Sequence, residues 1–290
     1  MKNKILTLFF SACLVTASAA DLYVNGSGNA NTYTTIQAAV NAAVDGDNIY
    51  ISTVGTYNEE VYINSKSIFL IPAVADEQFK VANGVKFSGN SSHETTIIGM
   101  WNATISINSS FSQGTLNVID CDINSISAAS GSYYGTTNVY NSVVHNSASI
   151  KGNVSGCTFE SGVDYTPGSP VGKFVGNKVE GNLTVNSGGY VEVSNNYIED
   201  GYMWISDLNT SAGGANYINN NTINSTTQGL LMPYNGNSYN NTIIANNYII
   251  TSSDNSSFNS YAIGSSYSSG YTYPLVGSNY LIANNYYSGF

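Results

Sequence analysis

The chain has no arginine: its eight basic residues are all lysines, set against eighteen Asp and Glu for a formal net charge of −10 over 290 residues. A protein so poor in cations cannot neutralise a run of phosphates, which excludes nucleic acid as a partner. Cysteine is scarce as well. With three residues there is no disulfide framework, and no Cys/His spacing suits a metal. Beyond the N-terminal segment no stretch approaches the ~20 apolar residues of a membrane helix, so no lipid-spanning helix is expected.

What the chain does have is repetition. One six-residue pattern recurs eight times, as VIDCDI from Val118, VYNSVV from Val139, VSGCTF from Val154, FVGNKV from Phe174, VSNNYI from Val193, INNNTI from Ile218, IANNYI from Ile244 and IANNYY from Ile282. Successive starts lie 21, 15, 20, 19, 25, 26 and 38 residues apart. Such units are too short for a strand with a long crossover helix and suit one coil of a solenoid. The outer positions are apolar or aromatic and the middle is Asn, Ser, Cys, Gly or Asp, the pattern of inward residue, sharp bend, inward residue. An all-β parallel β-helix is the predicted fold.

The fourth position of the pattern runs Cys121, Ser142, Cys157, Asn177, Asn196, Asn221, Asn247, Asn285. Asn tolerates left-handed backbone and bonds to its neighbours, so this position is expected to make the bend. Rungs repeat at roughly 4.8 Å, which lets side-chain amides chain along the stack as an asparagine ladder. Cys121 and Cys157 fall two rungs apart, roughly 9.6 Å, beyond the reach of a disulfide, and are predicted to stay reduced.

Ahead of the repeats, Thr34 with Gln37 three later forms a capping box, and Ile36, Ala39, Val40, Ala43 and Val44 make one apolar stripe. A short helix over the 33–46 region, ended by Gly46, would cover the first open rung. The segments Tyr33-Thr34-Thr35-Ile36-Gln37-Ala38-Ala39-Val40-Asn41-Ala42-Ala43, Asp45-Gly46-Asp47-Asn48-Ile49-Tyr50-Ile51 and Gly55-Thr56-Tyr57-Asn58-Glu59 resemble the N-terminal part of pectin esterases, several polysaccharide lyases and noncatalytic β-helix proteins. With the repeats, they make the chain similar to the pectin-lyase-like superfamily of right-handed parallel β-helices. The resemblance implies that fold and an extracellular polysaccharide as partner. The Asp, Asp and Arg set of the pectin esterases and the Asp-Asp and Arg-x-Lys motifs of the polygalacturonases cannot be placed on this sequence.

Lys2 and Lys4, the apolar run from Ile5 to Val15 and the small residues Ala17-Ser18-Ala19-Ala20 read as a secretory signal over 1–20, leaving 21–290 as one β-helix domain. A secreted, periplasmic or cell-surface location follows. Phe10-Ser11-Ala12-Cys13 offers the alternative of a lipid anchor. The last repeat ends at Tyr287, so either a further region, end-to-end self-association or the Tyr/Ser/Gly-rich segment 251–280, read as an insertion, would shield the final rung.

One residue past the sixth position the register places Asn124, His145, Glu160, Glu180, Glu199 and Asn224 outward. Glu160, Glu180 and Glu199 on consecutive rungs repel one another, and a bound cation such as Ca2+ would relieve this. With His145 and Lys178 these glutamates are the catalytic candidates, and by themselves the metal candidates. Asp120 and Asp122 flank the Cys121 bend, where Asp is expected to bond its own backbone. Tyr261, Tyr267, Tyr271 and Tyr273 are the candidates for holding a sugar, because Tyr supplies contact area at low entropy cost. Two functions fit: a β-helix that binds polysaccharide or serves an adhesive or structural role, which the lack of Arg favours, and a polysaccharide lyase or glycoside hydrolase, which a cation beside Lys178 would favour.

Overall fold

A computed structural model of the protein describes residues 19–24, 31–128, 135–186, 189–206, 208, 214–232, 241–251, 261–265, 275–282 and 285–288. Each coil gives one strand to each of three sheets, and nearly every strand pairs in parallel with the strand three further along the chain. The first sheet has 13 strands and the second and third have 11 each. One turn shows the path: Tyr190–Ser194 lies in the first sheet, Tyr197–Glu199 in the second, Met203–Ile205 in the third, and Asn216–Asn219 returns to the first. The fold is a right-handed parallel β-helix.

Alternation builds the core. In that turn Val191, Val193, Ile198, Met203 and Ile205 point inward and are fully buried, and Val193, Ile198, Met203 and Ile205 align with Phe174, Ile223, Leu230 and Val185 of neighbouring coils. Among the described residues one helix occurs, and no helix is long and apolar enough to cross a membrane.

The bend between the first and second sheets divides its work between two positions. The third position of the repeat, not the fourth, takes left-handed backbone: Asp120, Asn141, Asn195, Asn220 and Asn246 have φ of 51, 48, 57, 56 and 56°, and Gly156 and Gly176 have 67 and 68°. Gly, Asn and Asp visit this region at low cost and fill it in these seven copies, while Ser278 takes it, at φ 56°, one coil further on. The fourth position turns its side chain inward and makes the ladder. Asn177 Nδ2 donates to Asn196 Oδ1 at 3.0 Å, Asn196 Nδ2 to Asn221 Oδ1 at 2.9 Å, and Asn221 Nδ2 to Asn247 Oδ1 at 2.9 Å. Each acceptor also receives the backbone N–H of the preceding Asn, so the bend amides are satisfied without water.

The ladder ends on a residue other than the one expected. Asn247 Nδ2 donates to Asn279 Oδ1 at 2.9 Å, and Tyr248 pairs with Tyr280, so the eighth copy is VGSNYL from Val276. Asn285 instead begins the strand Asn285–Ser288 of the third sheet. IANNYY matches the pattern in letters but lies one sheet too late in the coil. The 251–280 segment is likewise no simple insertion, because Tyr261–Ser265 is a strand of the third sheet and Leu275–Gly277 a strand of the first.

The helix spans Ile36–Ala42 and packs Ile36, Ala39 and Val40 against the first coil. Its cap is Thr35 rather than Thr34, with Oγ1 accepting from Ala38 N at 3.1 Å, and the chain leaves helical geometry at Ala43, ahead of Gly46. Val44 is exposed, outside the stripe. The Glu59 carboxylate accepts from Ile36 N and Gln37 N at 2.8 and 2.9 Å, while Lys66 Nζ donates to Val40 O and Ala43 O, both at 2.6 Å. An anion at the helix start and a cation at its end both oppose the helix dipole favourably.

Candidate functional site

The second sheet carries the predicted polar column in the predicted register. Glu180 pairs with Glu199 and Glu199 with Asn224 across adjacent strands, and His145 and Glu160 continue the column toward the N-terminus. The glutamates do not face one another unaided. Lys178 Nζ lies 2.6 Å from Glu180 Oε1 and 3.1 Å from Glu199 Oε2. Glu160 Oε2 lies 2.8 Å from His145 Nδ1, whose Nε2 is 2.6 Å from Asp122 Oδ1. Asp122 therefore points outward as an ion-pair partner, correcting its reading as a turn residue, while Asp120 does occupy the bend. The repulsion expected to recruit a cation is relieved by the chain's own Lys178 and His145, and among the described residues no group of three His, Cys, Asp or Glu converges to hold a metal.

The electrostatics follow the pairing. Glu180 and then Glu199 hold the Lys178 ammonium well above the ordinary lysine range, so it stays a cation at neutral pH. Glu160 and then Asp122 raise the His145 imidazole above its usual value. Burial pushes the ladder thiols of Cys121 and Cys157 up to about 12 and about 11, and both cysteines are free.

Of the tyrosine candidates, Tyr261 begins a third-sheet strand, and Tyr267, Tyr271 and Tyr273 lie outside the described residues. Other tyrosines form the exposed aromatic surface: Tyr248 and Tyr280 stack at 4.9 Å on the second sheet, and Tyr23 and Tyr50 at 5.4 Å on the first.

Among the described residues, two of the open clefts on the outer wall bear on function. One of about 600 Å³ sits beside the bend between the first and second sheets, with Asp76, Glu77 and Asp120 around Pro72 and Ile98, and the Thr53 hydroxyl donates to Glu77. The other, about 420 Å³, is a trough on the outer face of the third sheet. Its floor is made by Ser106 and Ser127 on adjacent strands, where small side chains follow the larger Tyr62 and Lys86 in the same outward column. Lys86 Nζ stands 5.4 Å from the Tyr62 ring centroid and 2.6 Å from Glu60 Oε1, and Tyr62 Oη donates to Glu60. Lys86 and then Tyr62 hold the Glu60 carboxyl below its usual value, so the wall presents a neutralised pair with an aromatic face. Ser88 and Asn108 add hydrogen-bonding groups at the margin.

No protein-family model matches this chain, and no curated protein matches it.

The sequence reading missed Tyr62, Lys86, Ser106 and Ser127 because the repeat pattern tracks only the first bend and the second sheet. The third-sheet strands carry a weaker signal, alternation alone. VYIN from Val61, VKFS from Val85 and TISI from Thr104 each hold it, and aligning them would have stacked the trough residues.

Proposed function

We propose that this protein is an exported β-helix of the pectin-lyase-like kind that binds a neutral extracellular polysaccharide on its outer wall. The observation that carries the reading is the third-sheet trough: an extended groove with an aromatic wall at Tyr62, a hydroxyl floor at Ser106 and Ser127, and a lysine whose charge is already matched by Glu60. A neutral sugar chain offers alternating apolar faces and hydroxyls to such a surface, and nothing in it requires a carboxylate on the ligand. The leader-like N-terminus supports export. The holding of Lys178 between Glu180 and Glu199 supports binding over cleavage, since this lysine is not left free as a base.

The test is retention of the purified protein on a panel of insoluble neutral and acidic glycans, with reducing ends and unsaturated products followed in parallel. Retention on a neutral glycan, weakened at least tenfold by Tyr62→Ala and without product, is the expected result. Product formation would move the protein to the lyase or hydrolase class. Retention unchanged in Tyr62→Ala would remove the trough as the site.

A further inference from the structure

We infer that His145 is a protonation-dependent clasp that ties three successive coils of the second sheet together. Its Nε2 meets Asp122 Oδ1 of the preceding coil at 2.6 Å and its Nδ1 meets Glu160 Oε2 of the following coil at 2.8 Å. Carboxylates only accept hydrogen bonds, so both contacts exist together only when both ring nitrogens carry protons. In neutral imidazole one nitrogen turns a lone pair toward a carboxylate oxygen, and that arm of the clasp must open. Two anions then remain where one cation had bridged them.

The charged groups around the ring are few. Asp122 and Glu160 flank it, Lys178 with Glu180 and Glu199 continues the column toward the C-terminus, and Lys80 lies on the other side, 4.4 Å over the Trp101 ring. Val143 and Thr158 beside it are uncharged. Lys178 is already held between Glu180 and Glu199, so His145 is the cation placed between the two remaining carboxylates. The raised imidazole pKa agrees with this geometry. A folded-state value above the unfolded one means that the clasp is fully made below the ordinary histidine value of 6.5 and is lost as pH rises through the folded value. The device tightens the middle of the solenoid in mild acid, where the imidazole is protonated and both carboxylates are still ionised, and loosens it in alkali.

The experiment is an NMR titration of the imidazole signals, with His145 assigned against His93 by their loss in His145→Gln, combined with amide hydrogen exchange in the strands Val143–Val144 and Thr158–Phe159. Comparing wild type with His145→Gln at each pH cancels the intrinsic pH dependence of exchange. A His145 midpoint above 6.5 is expected, moving down in both Asp122→Asn and Glu160→Gln. Wild-type protection should exceed that of His145→Gln below the midpoint and merge with it above. A midpoint at the ordinary value, or a protection ratio constant across pH, would overturn the proposal.

Discussion

The side-chain amide of Gln37 pairs with the backbone of Tyr62 on both sides, its Oε1 accepting from Tyr62 N at 2.6 Å and its Nε2 donating to Tyr62 O at 3.2 Å. This is what the peptide group of a neighbouring strand would do. Tyr62 lies in Val61–Asn64, the outermost strand of the third sheet, and the helix brings Gln37 over its open edge. An unpaired edge is a template for association, and here one side chain fills part of it. Glu59 and Lys66, which hold the two ends of the helix, keep Gln37 in place. Much of the N-terminal segment that carries the resemblance to other β-helices is therefore occupied in sealing the solenoid.

Gln37→Ala removes both hydrogen bonds to Tyr62, and a third, exposed one to Asn41 Oδ1, at a partly exposed site. A loss of about 1–2 kcal/mol is expected, at the net value of about 1 kcal/mol per neutral bond. Urea unfolding followed by circular dichroism checks the stability. Sedimentation checks whether the bared edge of Tyr62 promotes association.

Adjacent asparagines should respond very differently. Asn221→Ala strips the shared acceptor from Asn196 N and Nδ2, both buried, and a loss of about 3–5 kcal/mol is expected from the resulting unsatisfied groups. Asn220→Ala leaves the ladder intact and strains only an exposed left-handed residue, for about 1 kcal/mol. Equal losses in the two variants, read from urea midpoints, would contradict the division of labour in the bend.

Cys121 and Cys157 should be inert to thiol reagents at neutral pH while the protein is folded. Both are buried, and their pKa values of about 12 and about 11 leave almost no thiolate. Labelling monitored by mass spectrometry should appear only across the unfolding transition, at both sites together. Fast labelling of native protein would place one of them outside the ladder.

The coil, the ladder and the outward column were legible in the sequence because they repeat. A position that recurs at every rung is specified many times over, so Asn177, Asn196, Asn221 and Asn247 and the Glu160, Glu180, Glu199 column could be read without coordinates. Errors arose where the repetition stops. IANNYY keeps the pattern in letters and points to Asn285, yet Asn247 bonds Asn279 and Tyr248 pairs with Tyr280, which puts VGSNYL at the bend. The Thr34 and Gln37 spacing suggests a capping box, whereas Gln37 reaches away to Tyr62 and Thr35 makes the cap.

The sequence by itself determined the architecture, since a period-two alternation interrupted by Asn- and Gly-rich bends has few ways to bury its apolar side other than by coiling on itself. What only the tertiary structure decided is which outward groups meet. His145 with Asp122 and Glu160, Lys178 with Glu180 and Glu199, and Tyr62 with Glu60 and Lys86 each include a pairing between residues 15 to 26 apart in the chain, and only the Lys178 and Tyr62 sets also hold a pair two residues apart. Their chemistry depends on the lateral register of whole coils and on coil lengths that vary. Side-chain neutralisation, protonation and groove shape are set at that level because charge and hydrogen-bond geometry act over a few ångströms in space, whatever the separation along the chain.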